Sequence, residues 1–186
     1  MLFTPTALQG AWTITPERLA DERGFFARTY CRREFEAHGL STEFVQFSVS
    51  HNVVKGTLRG MHYQADPHAE TKLVRCTRGA IFDVIVDLRP GSTSYEQWFS
   101  VELNVENRKA LYVPEGVAHG FQSLQDDTEV VYQVSEFYDP ELARGVRWND
   151  PRLGIEWPCS EPVLSDRDRA LPLWHRPQRS DPRSTS

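Results

Sequence analysis

With 186 residues, 39% hydrophobic and 25% charged, the chain has the length and composition of one soluble globular domain, which excludes a disordered body. Its 26 acidic against 21 basic residues leave a net charge of -5, so bulk attraction to nucleic acid is excluded and an anionic ligand needs a local basic cluster. No apolar run approaches the ~18 residues of a membrane span and no basic-then-apolar leader opens the chain, while Cys31, Cys76 and Cys159 are odd in number without a CxxC pair; the expectation is a cytoplasmic protein with reduced thiols and no membrane partner.

Residues 8–14 are apolar enough for a first strand, and Asp21-Glu22-Arg23-Gly24 reads as a turn before Phe25 and Phe26. Residues 33–38 have a helical look, with Phe35 as an apolar point and Gly39 as the stop. From there the pattern is nearly all strand, over 43–50, 56–64, 71–77, 79–88, 97–103, 109–113, 118–124 and 129–137. Turn signals such as Asp66-Pro67, Pro90-Gly91 and Pro114-Glu115-Gly116 separate these runs. Many short strands with no repeat or linker predict a mainly β sandwich or barrel, one domain over 1–175, followed by a polar, proline-bearing flexible tail over 176–186.

Alternation in 79–88 puts Phe82, Val84 and Val86 on one face and Ile81, Asp83, Ile85 and Asp87 on the other, as expected of a strand covered on both sides. The stretch Arg59-Gly60-Met61-His62-Tyr63-Gln64, with Lys72 and Arg75 on the next strand, carries too many polar and cationic groups for a purely structural core. Strict period two places Arg59 and His62 on opposite faces, so both reach one pocket only if the strand bulges or bends, most naturally at Gly60. Pro114-x-Gly116-x-x-His119 in such a sandwich resembles a cupin barrel, and many cupins hold a metal with three histidines and a glutamate. Gly60 and Gln64 stand where the second histidine of that set is needed, so no metal is expected.

Taken together, Asp21-Glu22-Arg23-Gly24-Phe25-Phe26, Leu58-Arg59-Gly60-Met61-His62-Tyr63-Gln64, Lys72-Leu73-Val74-Arg75-Cys76, Phe82 to Arg89, Pro114 to Phe121 and Gly154-Ile155-Glu156-Trp157-Pro158 resemble the dTDP-4-dehydrorhamnose 3,5-epimerases. The likeness runs from about Ile14 to Leu173. It implies a cupin-type jelly-roll without metal or other cofactor, a homodimer, and a nucleotide-diphosphate-linked 4-keto-6-deoxyhexose as substrate. A C4 ketone acidifies the hydrogens on C3 and C5, so inversion needs a base, an acid on the opposite ring face and a cation or donor for the enolate oxygen. By the resemblance, His62 is the base, Asp168 in Leu164-Ser165-Asp166-Arg167-Asp168 orients it, Tyr132 is the acid and Lys72 stabilises the enolate. Asp83 is the rival partner for His62, and Tyr138 the rival acid. Arg23 and Arg59 match residues that hold the diphosphate, work suited to a planar guanidinium, and Gln46 and His119 match further substrate contacts.

The chain departs from the family pattern in three places: Arg28 replaces a glutamate, Gln46-Phe47-Ser48-Val49-Ser50 replaces Gln-Asp-Asn-His-Ser, and Ala143 replaces a second glutamate. These changes predict a more positive pocket and leave the nucleobase and sugar open. The alternatives are an epimerase acting at C3 or C5 only, and a sugar-nucleotide-binding module without turnover.

Overall fold

The computed structural model describes residues 1–175 and consists mainly of antiparallel strands; residues 176–186, expected to form a flexible tail, lie outside the described residues. In chain order the elements begin with β1 (Leu2–Pro5), β2 (Trp12–Thr15), β3 (Arg18–Asp21), β4 (Gly24–Ala27), α1 (Arg32–Ala37), β5 (Gln46–Asn52), β6 (Leu58–Gln64) and β7 (Lys72–Arg78). They continue with β8 (Ala80–Asp87), β9 (Trp98–Asn104), β10 (Ala110–Val113), β11 (Val117–Ser123), β12 (Thr128–Val134), β13 (Ala143–Gly145) and α2 (Asp166–Arg169). Every strand expected between residues 43 and 137 forms.

Residues 8–14 do not form the single strand expected. Gly10 adopts φ +82 in a turn between β1 and β2, and Leu8 and Ala11 are buried from that turn, so their apolar character belongs to the core without being part of a strand there. The turn at Glu22-Arg23 is present but joins a two-stranded hairpin, β3 with β4, in which Asp21 lies opposite Gly24. All four residues of β3 are exposed, so no alternation of apolar and polar residues marked it.

Two sheets make the sandwich. One has the order β1-β2-β10-β7-β12-β5, and the other β13-β6-β11-β8-β9. Between them lie Val74, Ile81, Ile85, Leu111, Phe121 and Val130, each contributing about 1.5–3 kcal/mol by leaving water. The opposite face of β8 is also covered: Val84 and Val86 pack with Met61, Ala118, Val146 and Leu153, with Trp157 and Trp174 alongside. This is the two-sided burial that the apolar residues on both faces of β8 required. A third cluster gathers Phe35 of α1 with Ile14, Leu73 and Tyr112. Gly39, at φ +68, closes α1 at its C-terminal side in the left-handed region that glycine tolerates best.

Candidate active site

The site begins with an irregularity in β6. Along the β6–β11 ladder His62 faces His119 and Arg59 faces Phe121, so Gly60 and Met61 together oppose the single residue Gly120. This is the bulge expected at Gly60, and it turns Arg59 and His62 into one cavity while Met61 packs on the far side of the sheet. Gly60 has φ +134, and a side chain there would place a Cβ 2.5 Å from the Gly120 Cα. The Gly60–Met61 peptide is cis.

The cavity, about 310 Å³, is lined by Ser50, Arg59, His62, Lys72, His119, Tyr132, Ser165, Arg167 and Asp168. The six-stranded sheet supplies Ser50 from β5, Lys72 from β7 and Tyr132 from β12; the five-stranded sheet supplies Arg59 and His62 from β6 and His119 from β11. Ser165, Arg167 and Asp168 come from the single turn of α2 and its N-cap. A larger cavity of about 650 Å³, between Tyr63, Asp66, Arg89 and Glu115, contains neither of the two histidine–aspartate pairs described next.

His62 Nε2 donates to Asp168 Oδ1 at 2.6 Å. Burial opposes ionisation of Asp168, but the bonds from His62 and Ser165 and the charge of Arg167 outweigh it and hold the carboxyl below the usual carboxylate range. A charged acceptor on Nε2 assigns the ring proton to that nitrogen and leaves Nδ1 free to take another. Ser165 Oγ donates to Asp168 Oδ2 at 3.0 Å and accepts the Asp168 N–H at 3.1 Å, so both carboxylate oxygens are engaged. Asp83 is not the partner of His62. It accepts from His119 Nε2 at 2.7 Å in a second pair, where burial pushes its pKa up despite the neighbouring His119 and Lys72.

Lys72 donates to the His62 carbonyl at 3.3 Å and pairs with Glu70 at 3.0 Å. An ammonium has three donors, so one remains for a ligand. Tyr132 packs edge-on to His119, with ring centroids 5.9 Å apart, and burial together with the Asp83 charge drives its phenol pKa well upward, partly offset by Arg59 and Ser50. It therefore stays a proton donor. Arg59 is aimed by Asn52, whose Oδ1 accepts from Nε at 2.8 Å, and Asn52 is itself buried against the Ser50 and Thr128 carbonyls.

Six of the eight residues proposed from sequence thus meet in one cavity. The other two do not line it: Arg23 sits on the tip between β3 and β4, exposed and paired with Asp21 at 2.6 Å, and Gln46 accepts the Tyr138 N–H at 2.9 Å. Tyr138 and Ala143 line an adjoining cavity of about 190 Å³ that shares His62, Lys72 and Arg167 with the first. Arg28 pairs with Glu34 at 3.3 Å and lines neither cavity of this chain; beside Arg59 and Lys72 the cations that line them are Arg167 and, next door, Arg144. Ser50, Ser165 and Arg167 went unread. Ser165 and Asp168 stand at the spacing of an N-capping serine and an acid three residues on, which is the signal that marks such a turn.

The family model described as dTDP-4-dehydrorhamnose 3,5-epimerase matches residues 5–176. The chain is similar to the dTDP-4-dehydrorhamnose 3,5-epimerase of Shigella flexneri, 47% identical over 164 residues that cover 88% of this chain and 90% of that one. It is also similar to the dTDP-4-dehydrorhamnose 3-epimerase of Streptomyces niveus, 42% identical over 170 residues covering 91% and 82% of the two chains. The crystal structure of the Bacillus anthracis dTDP-4-dehydrorhamnose 3,5-epimerase with TDP and PPi bound superposes with a TM-score of 0.90 at 43% identity, covering 93% of this chain and 99% of that one. The sandwich is accordingly of the cupin type.

Proposed function

The chain belongs to the dTDP-4-dehydrorhamnose 3,5-epimerase family, a family of carbohydrate isomerases, and we propose that it epimerises a nucleotide-diphosphate-linked 4-keto-6-deoxyhexose by proton transfer next to the ketone. The observation that carries this reading is the His62–Asp168 pair opening onto the same cavity as Lys72 and Tyr132. His62 Nδ1 removes the proton from the carbon beside C4, and Asp168 stabilises the imidazolium that results. The electrons move into the C4 carbonyl, and the Lys72 ammonium neutralises the enolate oxygen. Tyr132 then delivers a proton to the opposite face of the same carbon. That step leaves inverted stereochemistry, a phenolate and an imidazolium; exchange with solvent returns a proton to Tyr132 and takes one from His62.

Arg59, Lys72 and Arg167 against Asp168 leave the cavity net positive, which suits a diphosphate. His119, held by Asp83, adds a donor or acceptor for a sugar hydroxyl. The nucleotide is proposed to extend past the cavity mouth towards Gln46. Phe47 and Val49, 65% and 63% exposed on the edge strand β5, and Leu19 and Phe26, each 70% exposed on the hairpin, offer apolar surface for a second copy, in keeping with a homodimer. Arg23 contacts the diphosphate, on this reading, where the hairpin meets a ligand held by that second copy. A single domain over 1–175 and a cytoplasmic setting for the three free cysteines complete the proposal.

Inversion at one carbon only is the second reading, favoured by the similarity to a 3-epimerase. Proton NMR in deuterated water with dTDP-, CDP- and GDP-linked 4-keto-6-deoxyglucose tests both. Loss of the C3 and C5 signals with one nucleotide is expected. Loss of one signal alone identifies a single epimerase, while binding with no exchange at either carbon overturns catalysis and leaves a binding module.

A further inference from the structure

One hydroxyl in the cavity lacks a well-formed hydrogen bond. Ser50 lies on β5, where period two sends Gln46, Ser48, Ser50 and Asn52 to the inner face and Phe47, Val49 and His51 to the outer one. Its Oγ is sealed from solvent and makes no hydrogen bond of good geometry within the described residues, although the side chain lines the catalytic cavity and lies near enough to the Tyr132 hydroxyl to favour its ionised form. Buried hydroxyls are rarely left this way, and a native exception calls for a functional account.

The register shows what lies within reach of that hydroxyl. Tyr132 stands opposite Ser48 and Val130 opposite Ser50, so Tyr132 and Ser50 are diagonal neighbours on the inner face of the β5–β12 pair, within the reach of an aromatic side chain. The Ser50 backbone is fixed from the other side. Its carbonyl accepts from Asn52 Nδ2 at 3.3 Å, and Asn52 in turn aims Arg59. The strand is therefore held by Asn52 while the hydroxyl stays free to rotate.

On the function proposed above, Tyr132 gives up a proton in every turnover, and the phenolate that forms is poorly placed. It is partly buried, and the carboxylate of Asp83, whose Oδ2 is without a hydrogen bond among the described residues, lies close enough to disfavour it. Arg59 and Ser50 are the two neighbours that favour the ionised form. A serine hydroxyl can accept from a phenol and, after rotation of the O–H about the Cβ–Oγ bond, donate to a phenolate.

We propose that Ser50 is a positioning residue for Tyr132, its Oγ–H holding the phenolate that remains once Tyr132 has protonated the sugar carbon. The proton lost from Tyr132 ends on carbon, the Ser50 proton stays on Oγ, and no other group is consumed. Ser50 does not touch the reacting carbon. Its loss should slow the step that Tyr132 performs and spare the one that His62 performs.

The experiment follows hydrogen exchange at C3 and C5 of dTDP-4-keto-6-deoxyglucose in deuterated water for the wild type, Tyr132→Phe, Ser50→Ala and Ser50→Thr. Tyr132→Phe identifies the signals that depend on the tyrosine. Ser50→Ala is expected to slow those signals about tenfold, to leave any signal insensitive to Tyr132→Phe within twofold, and to keep KM and the thermal midpoint near wild type. Ser50→Thr, which retains the hydroxyl and suits a strand, is expected to restore the rate. The inference is overturned if Ser50→Ala exchanges like the wild type, if it slows a signal that Tyr132→Phe leaves unchanged as much as one that Tyr132→Phe slows, or if threonine fails to restore the rate in a folded protein. Absence of all exchange in the wild type overturns the proposed function itself, and this inference with it.

Discussion

Gly60 and Gly120 approach so closely across the β6–β11 ladder that a Cβ on either would penetrate the other strand: from Gly60 it would lie 2.5 Å from the Gly120 Cα, and from Gly120 it would lie 2.8 Å from the Arg59 carbonyl oxygen and 2.7 Å from Met61 Sδ. The bulge that aims Arg59 and His62 into one cavity depends on this contact. Gly60→Ala adds both the clash and a disfavoured φ of +134, and should cost about 2–5 kcal/mol. Urea denaturation and the exchange assay should show a loss of both stability and activity. A Gly60→Ala protein with wild-type values in both would show that the register of β6 does not govern the site.

His62→Ala should abolish solvent exchange at the sugar carbons without unfolding the protein, since His62 is only partly buried and its neighbours are polar. Asp168→Asn should lower kcat by roughly 10²–10⁴-fold, because an amide no longer enforces the tautomer with Nδ1 free. Ser165→Ala removes its bond to the Asp168 carboxylate and the cap bond from the Asp168 N–H, leaves the His62 bond, and should fall between wild type and Asp168→Asn. Its optimum should narrow on the acid side, as Asp168 then takes up a proton at higher pH. The profile of kcat/KM against pH checks the order and the direction.

Lys72→Met keeps most of the side-chain volume but removes the charge beside the enolate. We expect kcat to fall about 10²–10³-fold with a smaller change in KM, the mark of an interaction made mainly in the transition state. Isothermal titration with TDP separates the two effects. An increase in Kd as large as the loss in kcat/KM would assign Lys72 to ground-state binding instead.

Asp87 lies apart from the catalytic cavity and sets an acid limit on stability. Its Oδ1 accepts from Arg89 Nε at 2.9 Å, and its Oδ2 from Ser94 Oγ at 2.6 Å and Ser92 Oγ at 2.5 Å. Burial alone would raise its pKa, but these bonds bring it down to about 2 from the ordinary 3.8. A carboxyl depressed on folding stabilises the native state fully above its unfolded pKa and loses that contribution as pH falls through the folded one. The contribution is about 2 kcal/mol at neutral pH and disappears between about pH 4 and pH 2. Asp87→Asn should therefore be less stable at pH 7 and lose less on acidification, as read by urea midpoints at pH 7 and pH 3.

The strand pattern was legible where a strand is covered on both faces or alternates strictly, as in β8 and β11, because burial there dictates residue type at every position. The hairpin of β3 and β4 was not, since it meets no core and its residues carry no signal of an inward side. Arg59 and His62 could be placed in one pocket only by assuming an irregularity at Gly60, which the glycine itself suggested. The pairing of His62 with Asp168 over Asp83 rested on resemblance, because local spacing contains nothing about partners 106 residues apart in the chain. Ser50 was hidden for the opposite reason: a serine alternating with apolar residues on an edge strand looks like a solvated face until the other sheet is placed over it.

Asp168 comes from a turn near the end of the described chain, whereas His62 stands on a strand of its first half. A chain terminated anywhere between them, by a stalled ribosome or a protease, would lack the oriented base. On the proposed roles of His62 and Asp168, proton abstraction reports that the polypeptide was made through residue 168 and that α2 has docked. A stain for activity in crude lysate would, for the same reason, detect chains complete to that point and pass over the prematurely ended ones.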